Sequence, residues 1–237
     1  MIAVLSNDKY SGMIYFMIIS FFICCFFISP LLSFFGIVIL FSVVEIKQKL
    51  LRLPLALLAF FSGAVIYSSR VVGNIYGDDF ANEYYTLYNE IYEGNGVFDS
   101  GFGGGIEFGL SFYFKLLSII LPHLPESGVM LAVSLLCTFL FYFWIEFFLF
   151  KDYKLENKSL FIASTLVFFG YFVTTQLMRQ AISTVFILYT LSYFKRDWNG
   201  RALVSIGVGV ITHLTALPFF FIFHILMGDN KKRKVWL

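Results

Sequence analysis

The sequence predicts an all-α, polytopic integral membrane protein, a helix bundle of about seven or eight membrane segments. Three observations indicate it. Apolar residues make up 59% and charged residues 14% of the 237 positions, whereas a soluble domain carries about 25% charge. The mean hydropathy is +0.82. Apolar residues form long runs with basic residues at their ends, a pattern typical of membrane helices. We therefore expect residues 1–237 to form a single transmembrane domain.

The N-terminal part of the chain contains three candidate spans. A hydrocarbon core of about 30 Å needs roughly 20 apolar residues of helix, and Tyr10–Ser29, Pro30–Val44 and Leu53–Ser69 approach that length. No cleavage site follows a short apolar region, so the first run is expected to be a retained anchor. The connector Glu45–Arg52 is rich in basic residues, which predicts that it is cytoplasmic. The residues after the third span are then extracytoplasmic.

A polar island, Arg70–Glu107, follows the third span. It holds seven of the fifteen acidic residues and one base, so its net charge is −6 against +8 elsewhere. Aromatic and aliphatic residues at three- and four-residue spacing predict an amphipathic helix over Asp79–Tyr92, placed at the membrane interface where tyrosine is common. Asp78 or Asp79 is expected to cap its start and Gly94 its end. We interpret 70–107 as an extracytoplasmic acidic loop with an interfacial helix, 79–92.

Two segments of the second half do not fit a simple pattern of crossings. Ile106–Leu121 is short and contains Glu107 and Lys115, which can pair, so we expect it to enter the membrane without crossing. Ala202–Met227 has basic residues on both flanks, and a break near His213–Pro218 would divide it into two half-helices. The glycine-rich stretch before the first of these segments predicts a flexible loop over Gly94–Gly105. Ordinary spans are predicted over Ser127–Phe150, Ser159–Thr175 and Thr175–Phe194.

Arg179 is the candidate residue with the strongest argument for function. On a continuous helix it shares one face with Gln176, Gln180 and Ser183. A charge within a span costs about 2.5–3.5 kcal/mol on insertion scales and is normally retained for function. Its fixed fork of donors suits a phosphate or pyrophosphate. The alternative is that Arg179 lies near a helix end and extends its guanidinium to lipid headgroups.

The other candidates are a histidine and four carboxylates. His213, inside an apolar run, can act as a base, a proton shuttle or a hydrogen-bond donor, or can simply bond a backbone carbonyl. Asp78 and Asp79 are candidates for a general base, with helix capping as the alternative. Glu107 can bind a sugar hydroxyl or pair with Lys115, and the sequence leaves both open. Glu146 is expected to extend to the membrane surface or to pair with a nearby lysine.

Several classes of site are not indicated. The sequence contains no metal-ligand spacing, phosphate-binding loop or GxSxG motif, so neither a metal nor a cofactor is expected. No basic face interleaved with aromatic residues indicates a nucleic-acid partner.

The candidates, in their order along residues 67–220, resemble bacterial polysaccharide polymerases of the EpsG and Wzy type, the O-antigen polymerase family. The matching elements are Arg70 followed by Gly77-Asp78 and a Tyr-rich helix, then Glu107-Phe108-Gly109, Arg179-Gln180-Ala181, and His213 followed by Thr215-Ala216-Leu217. No single motif is specific, so the resemblance rests on the ordered set and the matching hydropathy. Family members tend to be longer, with further spans after the histidine helix, so this chain is expected to be a short version.

The resemblance implies a multi-pass glycosyltransferase of the bacterial inner membrane with its active site facing the periplasm. It would move a glycan from an undecaprenyl-pyrophosphate donor onto a lipid-linked repeat unit, amid membrane lipids and with a chain-length regulator protein as a candidate partner. The substrate-binding residues would be Arg70, Glu107, Arg179 and Gln180, and the catalytic residues Asp78, Asp79 or His213.

Two rival functions remain open from the sequence. A transporter or flippase of lipid-linked oligosaccharides also needs an intramembrane arginine and histidine, but it should show internal inverted repeats, which the sequence lacks. A non-catalytic assembly subunit is favoured only if the chain is truncated.

Overall fold

The computed structural model describes residues 11–72, 78–100, 102–222 and 225. Tyr10, Gly77 and Met227, which the sequence predictions included, lie outside them. The regular secondary structure of the described part is entirely helical, which confirms the predicted class. The α-helices are α1 (Ser11–Ile28), α2 (Pro30–Val43), α3 (Lys49–Ser68), α4 (Tyr85–Tyr92), α5 (Gly109–Ile120), α6 (Glu126–Trp144), α7 (Phe150–Asp152), α8 (Lys158–Phe168), α9 (Tyr171–Gln176), α10 (Met178–Lys195) and α11 (Asn199–Thr212). Short π-helical segments cover Phe80–Tyr84 and Ile145–Leu149, and 3-10 turns cover Val97–Ser100 and Phe102–Gly105.

Two helices of the described part are long and apolar enough to cross a membrane. They are Lys49–Ser68 and the continuous helix Glu126–Asp152, which joins α6 to α7 through a π-helical segment. The shorter apolar helices are Gly12–Ile28, Pro30–Val43, Gly109–Ile120 and Lys158–Phe168. Length and composition are thus consistent with membrane association, and the predicted number of seven or eight spans stays a prediction.

The chain divides into two compact units. The first combines Met1–Val71 with Met130–Phe172, and the second combines Val72–Val129 with Val173–Leu237. In the first unit, α2 packs against α1, α3 and α8. The fully buried aromatic and aliphatic core of this unit includes Ile37, Phe41, Leu55, Phe60 and Ile162 from these helices and Tyr142 from α6.

A buried ion pair crosses the first unit and corrects the prediction for Glu146. Arg52 Nη2 donates to Glu146 Oε1 at 2.7 Å and its Nε donates to Oε2 at 3.3 Å. Both side chains are about 5% exposed, and the Tyr142 hydroxyl adds a donor to the carboxylate at 3.4 Å. Glu146 therefore neither extends to the membrane surface nor pairs with a lysine. Taking two charges out of water requires this kind of bidentate, hydrogen-bonded geometry.

The connector Glu45–Arg52, which was predicted to be cytoplasmic, packs within the same unit, and the side of the membrane on which it lies stays a prediction. α3 begins within it, and both Glu45 and Arg52 are buried. Glu45 Oε2 accepts the Ser159 N–H at 3.1 Å, and Ser159 Oγ accepts the Ile46 N–H at 2.8 Å. These two bonds tie the connector to the first turn of α8. The polar residues of the connector are therefore paired with groups far along the chain.

In the second unit, α4 packs against α5, and α10 packs along α11. The predicted helix over 79–92 is present, and the apolar residues at its predicted spacing are buried except Tyr92. These buried residues are Phe80, Tyr84, Leu87, Tyr88 and Ile91. Its predicted place at the membrane interface stays a prediction. The helix ends at Gly94 as predicted, with a φ of 115° that favours glycine and paired bonds from Gly94 N to Ile91 O and Asn95 N to Glu90 O.

Helix α5 positions the functional site and is too short to cross a bilayer. Its 12 residues extend about 18 Å, against a hydrocarbon core of about 30 Å. The expectation that the segment enters the membrane without crossing stays a prediction. The predicted loop Gly94–Gly105 contains the two 3-10 turns, so part of it has local structure.

Candidate functional site

Three side chains that are far apart in the sequence meet in the second unit. Glu107 lies just before α5, Arg179 lies in the first turn of α10, and His213 follows the last residue of α11. Arg179 Nη1 donates to Glu107 Oε2, and His213 Nδ1 lies 3.0 Å from Glu107 Oε1. The sequence predicted all three as site residues, and the structure brings them into one cluster.

Glu107 is the centre of this cluster. Its side chain is 5% exposed, and its Oε1 also accepts the Leu214 N–H at 2.7 Å. Burial raises the pKa of Glu107, but the bonds from Leu214 and His213 and the charge of Arg179 act against burial, and together they lower it. Glu107 is therefore an ionised carboxylate at neutral pH, and it bonds these three partners in place of Lys115.

The bond between Glu107 and His213 orients the imidazole. In a neutral ring, a carboxylate on Nδ1 assigns the proton to Nδ1 and leaves the lone pair on Nε2. The His213 side chain is 24% exposed, so this nitrogen is not sealed in the core. A carboxylate-oriented imidazole of this kind can take a proton from a hydroxyl.

His213 lies in a break between two helical segments of the last apolar run, as the sequence predicted. Helix α11 ends at Thr212, and His213 is extended with φ −158° and ψ 122°. Helical structure resumes at Ala216, with Pro218 in its first turn, where a proline costs no hydrogen bond. The carbonyl of His213 accepts the Ala216 N–H at 3.0 Å, so the freed backbone is partly satisfied within the break. Buried Ser183 on α10 lies 3.5 Å from the same carbonyl.

Gly109 allows α5 to approach this break. A Cβ on Gly109 would lie 2.5 Å from Thr212 Oγ1, 2.9 Å from Thr212 Cα and 3.0 Å from Thr212 N. Two of these atoms belong to the backbone and cannot rotate away. Glycine at this position is therefore required for the contact that brings Glu107, two residues earlier, within reach of His213.

Arg179 is enclosed by aromatic rings and carboxylates. Its guanidinium carbon lies 3.9 Å from the centroid of the Phe102 ring and 5.9 Å from that of Tyr84. Its Nη2 lies 4.0 Å from the half-exposed Glu83 carboxylate. Within the described part of the chain, the buried Arg179 Nε has no hydrogen-bond partner. The guanidinium therefore keeps donor capacity on its Nε side after binding Glu107.

The helix carrying Arg179 is interrupted where the sequence predicted a continuous span. Leu177, with φ −120° and ψ 54°, separates α9 from α10. Arg179 consequently lies near a helix start, as one alternative proposed, but its guanidinium is bound to protein groups and is 18% exposed. Gln180 is exposed on the same turn and is not among the residues that contact Glu107.

Of the two aspartates at the start of the amphipathic helix, Asp78 has the geometry of a cap. Buried Asp78 accepts the Phe80 N–H at 3.1 Å and the Ala81 N–H at 3.4 Å through Oδ1. Asp79 is partly exposed at the first helical position. These two bonds cap the helix, as the sequence predicted for one of the two aspartates. Arg70 belongs to the first unit, directly after α3.

Sequence reasoning missed Phe102, Tyr84 and Glu83 as neighbours of Arg179. Tyr84 falls on the predicted buried face of its helix, which was a usable signal. Phe102 lies between glycines with no periodicity, so nothing in the sequence indicated its ring contact with a residue of α10. Among the described residues, no group of three His, Cys, Asp or Glu side chains is arranged to hold a metal ion.

Comparison of the chain with protein-family models, with curated proteins and with solved structures finds no match.

Proposed function

We propose that the protein is a membrane glycosyltransferase that polymerises a bacterial surface polysaccharide of the O-antigen or exopolysaccharide type. In this proposal it moves a glycan from an undecaprenyl-pyrophosphate donor onto a lipid-linked repeat-unit acceptor, on the periplasmic side of the inner membrane. The observation that carries the proposal is the cluster of Glu107, Arg179 and His213, which unites an oriented base with a cation that retains donor capacity.

Membrane embedding is supported by the outer surface of the helices. Long apolar side chains such as Phe16, Phe27 and Phe168 are exposed, together with many others on α1, α2 and α5. A soluble monomer rarely exposes contiguous apolar surface of this extent. In the proposal the shorter apolar helices join the two longer ones in about seven or eight membrane segments, some of which enter without crossing.

His213 is assigned as the general base. Its Nε2 takes the proton of the acceptor hydroxyl while that oxygen attacks the anomeric carbon of the donor sugar. The bond between this carbon and the pyrophosphate oxygen breaks, and undecaprenyl pyrophosphate leaves. Glu107 positions the imidazole through Nδ1 and stabilises the imidazolium that forms, by a charge-assisted hydrogen bond.

Arg179 is assigned to the leaving group. The Nε and Nη2 atoms lie on one edge of the guanidinium, and such an edge binds two oxygens of a phosphate in parallel. Negative charge develops on the pyrophosphate as the bond breaks, so a fixed cation there lowers the barrier. Glu83 at 4.0 Å competes for this edge, and its half-exposed side chain has room to move towards solvent.

The test is elongation by the purified protein with a lipid-linked repeat unit, using His213→Ala and Arg179→Lys. A positioned general base typically contributes about 10²–10⁴-fold in rate, and we expect a loss of that size for His213→Ala. Arg179→Lys keeps the charge but loses the two-donor edge, so it should also be impaired. The matched control is Arg201→Ala, because Arg201 is exposed on α11 away from the cluster.

The same variants in a strain lacking its native copy separate the proposal from its rival. Full-length surface glycan with His213→Ala or Arg179→Lys, at normal protein level, would contradict the assigned role of that residue. Loss of all surface sugar, including single repeat units, would instead favour a flippase of lipid-linked oligosaccharides.

A further inference from the structure

An aromatic surface that the cluster does not use lies where α4 meets the segment between α5 and α6. It consists of Tyr85, Tyr92 and His123, which we call the aromatic corner. The ring centroids of Tyr92 and His123 are 4.8 Å apart and their planes cross at 81°, so the two rings make an edge-to-face contact and stand nearly perpendicular to each other. Both side chains are exposed, and Tyr85 is half-buried beside them. The corner therefore presents two exposed aromatic side chains to a ligand.

Hydrogen bonds hold the aromatic corner in place. The fully buried Tyr88 beneath it accepts the Leu124 N–H through its hydroxyl at 3.0 Å. The Tyr85 hydroxyl donates to the Leu124 carbonyl at 3.4 Å, and His123 Nε2 lies 2.9 Å from Asn89 Oδ1. A surface ordered in this way loses little conformational entropy when a ligand binds. Because its hydroxyl is bonded to the protein, Tyr85 is also less free to anchor in lipid headgroups.

The charges around the corner limit the class of ligand. Residues 85–96 and 121–126 contain Glu90, Glu93 and Glu126 but no lysine or arginine. Burial raises the pKa of Tyr85, and the negative charge of Glu126 adds to that effect. An acidic, aromatic surface disfavours phosphates and anionic lipids, and its carboxylates suit hydroxyl or amine donors.

We propose that the aromatic corner is a binding subsite for a sugar ring of a neutral or amino-sugar-containing glycan. The C–H face of a pyranose is apolar and packs on a tyrosine ring, while its hydroxyls remain available to the exposed Glu93 carboxylate next to Tyr92. The inference rests on the proposed function, because the subsite holds sugars of the glycan other than the one that reacts at His213. It adds a chemical class of ligand and a second place of binding to that proposal.

The test is binding of an oligosaccharide without pyrophosphate, the group that Arg179 is proposed to bind. The probe is the repeat oligosaccharide released by mild acid from the host's surface glycan, without lipid or pyrophosphate, titrated into the full-length protein in detergent. We expect Tyr92→Ala to weaken binding at least tenfold, and His123→Ala likewise. Tyr153→Ala is the matched control, since Tyr153 is an exposed tyrosine of the first unit. Absence of binding by the wild type, or equal binding by Tyr92→Ala, overturns the subsite.

A second measurement distinguishes the subsite from an aromatic anchor at the membrane interface. Tyr92→Trp is placed in nanodiscs containing brominated lipid, and its added fluorescence is followed with and without the oligosaccharide. We expect a shift on adding the sugar and little quenching by the bromine. Strong quenching with no response to sugar assigns the corner to lipid and overturns the proposal.

Failure of the subsite and failure of the proposed function give different results. If Tyr92→Ala binds the oligosaccharide normally while His213→Ala abolishes elongation, only the subsite is wrong. If Tyr92→Ala loses binding while His213→Ala elongates normally, the subsite stands and the catalytic assignment is wrong.

Discussion

At Gly109, the absence of a side chain supports the whole cluster. We expect Gly109→Ala to destabilise the protein by about 1–3 kcal/mol, because its Cβ would overlap the backbone of Thr212 and force α5 away from the break. It should also reduce any activity that depends on the contact between Glu107 and His213. Thermal unfolding in detergent measures the first effect.

Gly207 provides the control for this substitution. It lies on α11, and a Cβ there would meet nothing within 4 Å. Gly207→Ala should therefore be neutral or stabilising by about 0.5–1 kcal/mol, as expected for glycine replaced in a helix interior. Equal effects of the two substitutions would contradict the close approach at Gly109.

Acid should weaken the cluster through Glu107. The pKa of this carboxyl is lowered from 4.5 in the folded protein, so its contribution to stability is complete above about pH 4.5 and is lost as the pH falls through the lower, folded value. We expect the melting temperature of the wild type to fall more steeply below pH 4.5 than that of Glu107→Gln. Parallel pH profiles for the two proteins would show that the carboxylate is not held by its three partners.

Individual residues were predictable where a polar group interrupts an apolar run. Glu107, Arg179 and His213 were found in this way, because an unpaired polar group inside such a run is costly and tends to be kept for a reason. The ion pair of Glu146 with Arg52 was not predicted, since Arg52 lies in a stretch whose composition is typical of a solvated connector. A local pattern reports how a residue fits its own helix and carries no information about which distant side chain will bond it.

At the scale of elements, the helix over 79–92 tests the role of Asp78. Asparagine caps a helix about as well as aspartate, whereas alanine costs about 0.5–2 kcal/mol. We therefore expect Asp78→Asn to retain both stability and elongation activity, and Asp78→Ala to lose stability. A large loss of activity in a stably folded Asp78→Asn protein would make this carboxylate the base in place of His213.

Helix positions were more predictable than helix interruptions. The period of apolar residues located the inner face of 79–92, and glycine chemistry located its end. The break at His213 was predictable because both flanks of its run are basic and a proline follows. The interruption at Leu177 and the π-helical turn Phe80–Tyr84 were missed, since neither contains a residue that disfavours a continuous helix.

At the scale of the whole molecule, the predicted topology can be tested by chemical labelling. We expect Asn95→Cys in the island to react with an impermeant maleimide in spheroplasts, and Lys154→Cys in the basic connector after α7 to react only after lysis. The background is a chain with Cys24, Cys25 and Cys137 replaced by serine. Reaction of Lys154→Cys in intact spheroplasts would place that connector outside and contradict the predicted orientation.

Composition predicted the helical class but not the division into two units. Hydropathy treats each span by itself, whereas the units join segments from distant parts of the chain, such as 1–71 with 130–172. This pairing depends on contacts like those of Glu45 with Ser159, which no window of sequence contains.

The Arg52–Glu146 ion pair also has a consequence for how the protein is made. Arg52 leaves the ribosome 94 residues ahead of its carboxylate, an interval of roughly 5–20 s at about 5–20 residues per second. During that time the Arg52 cation, at the start of the apolar helix α3, has no carboxylate partner in the nascent chain. A translation product that stops short of Glu146 keeps this defect permanently, and we expect cellular proteases to clear it quickly.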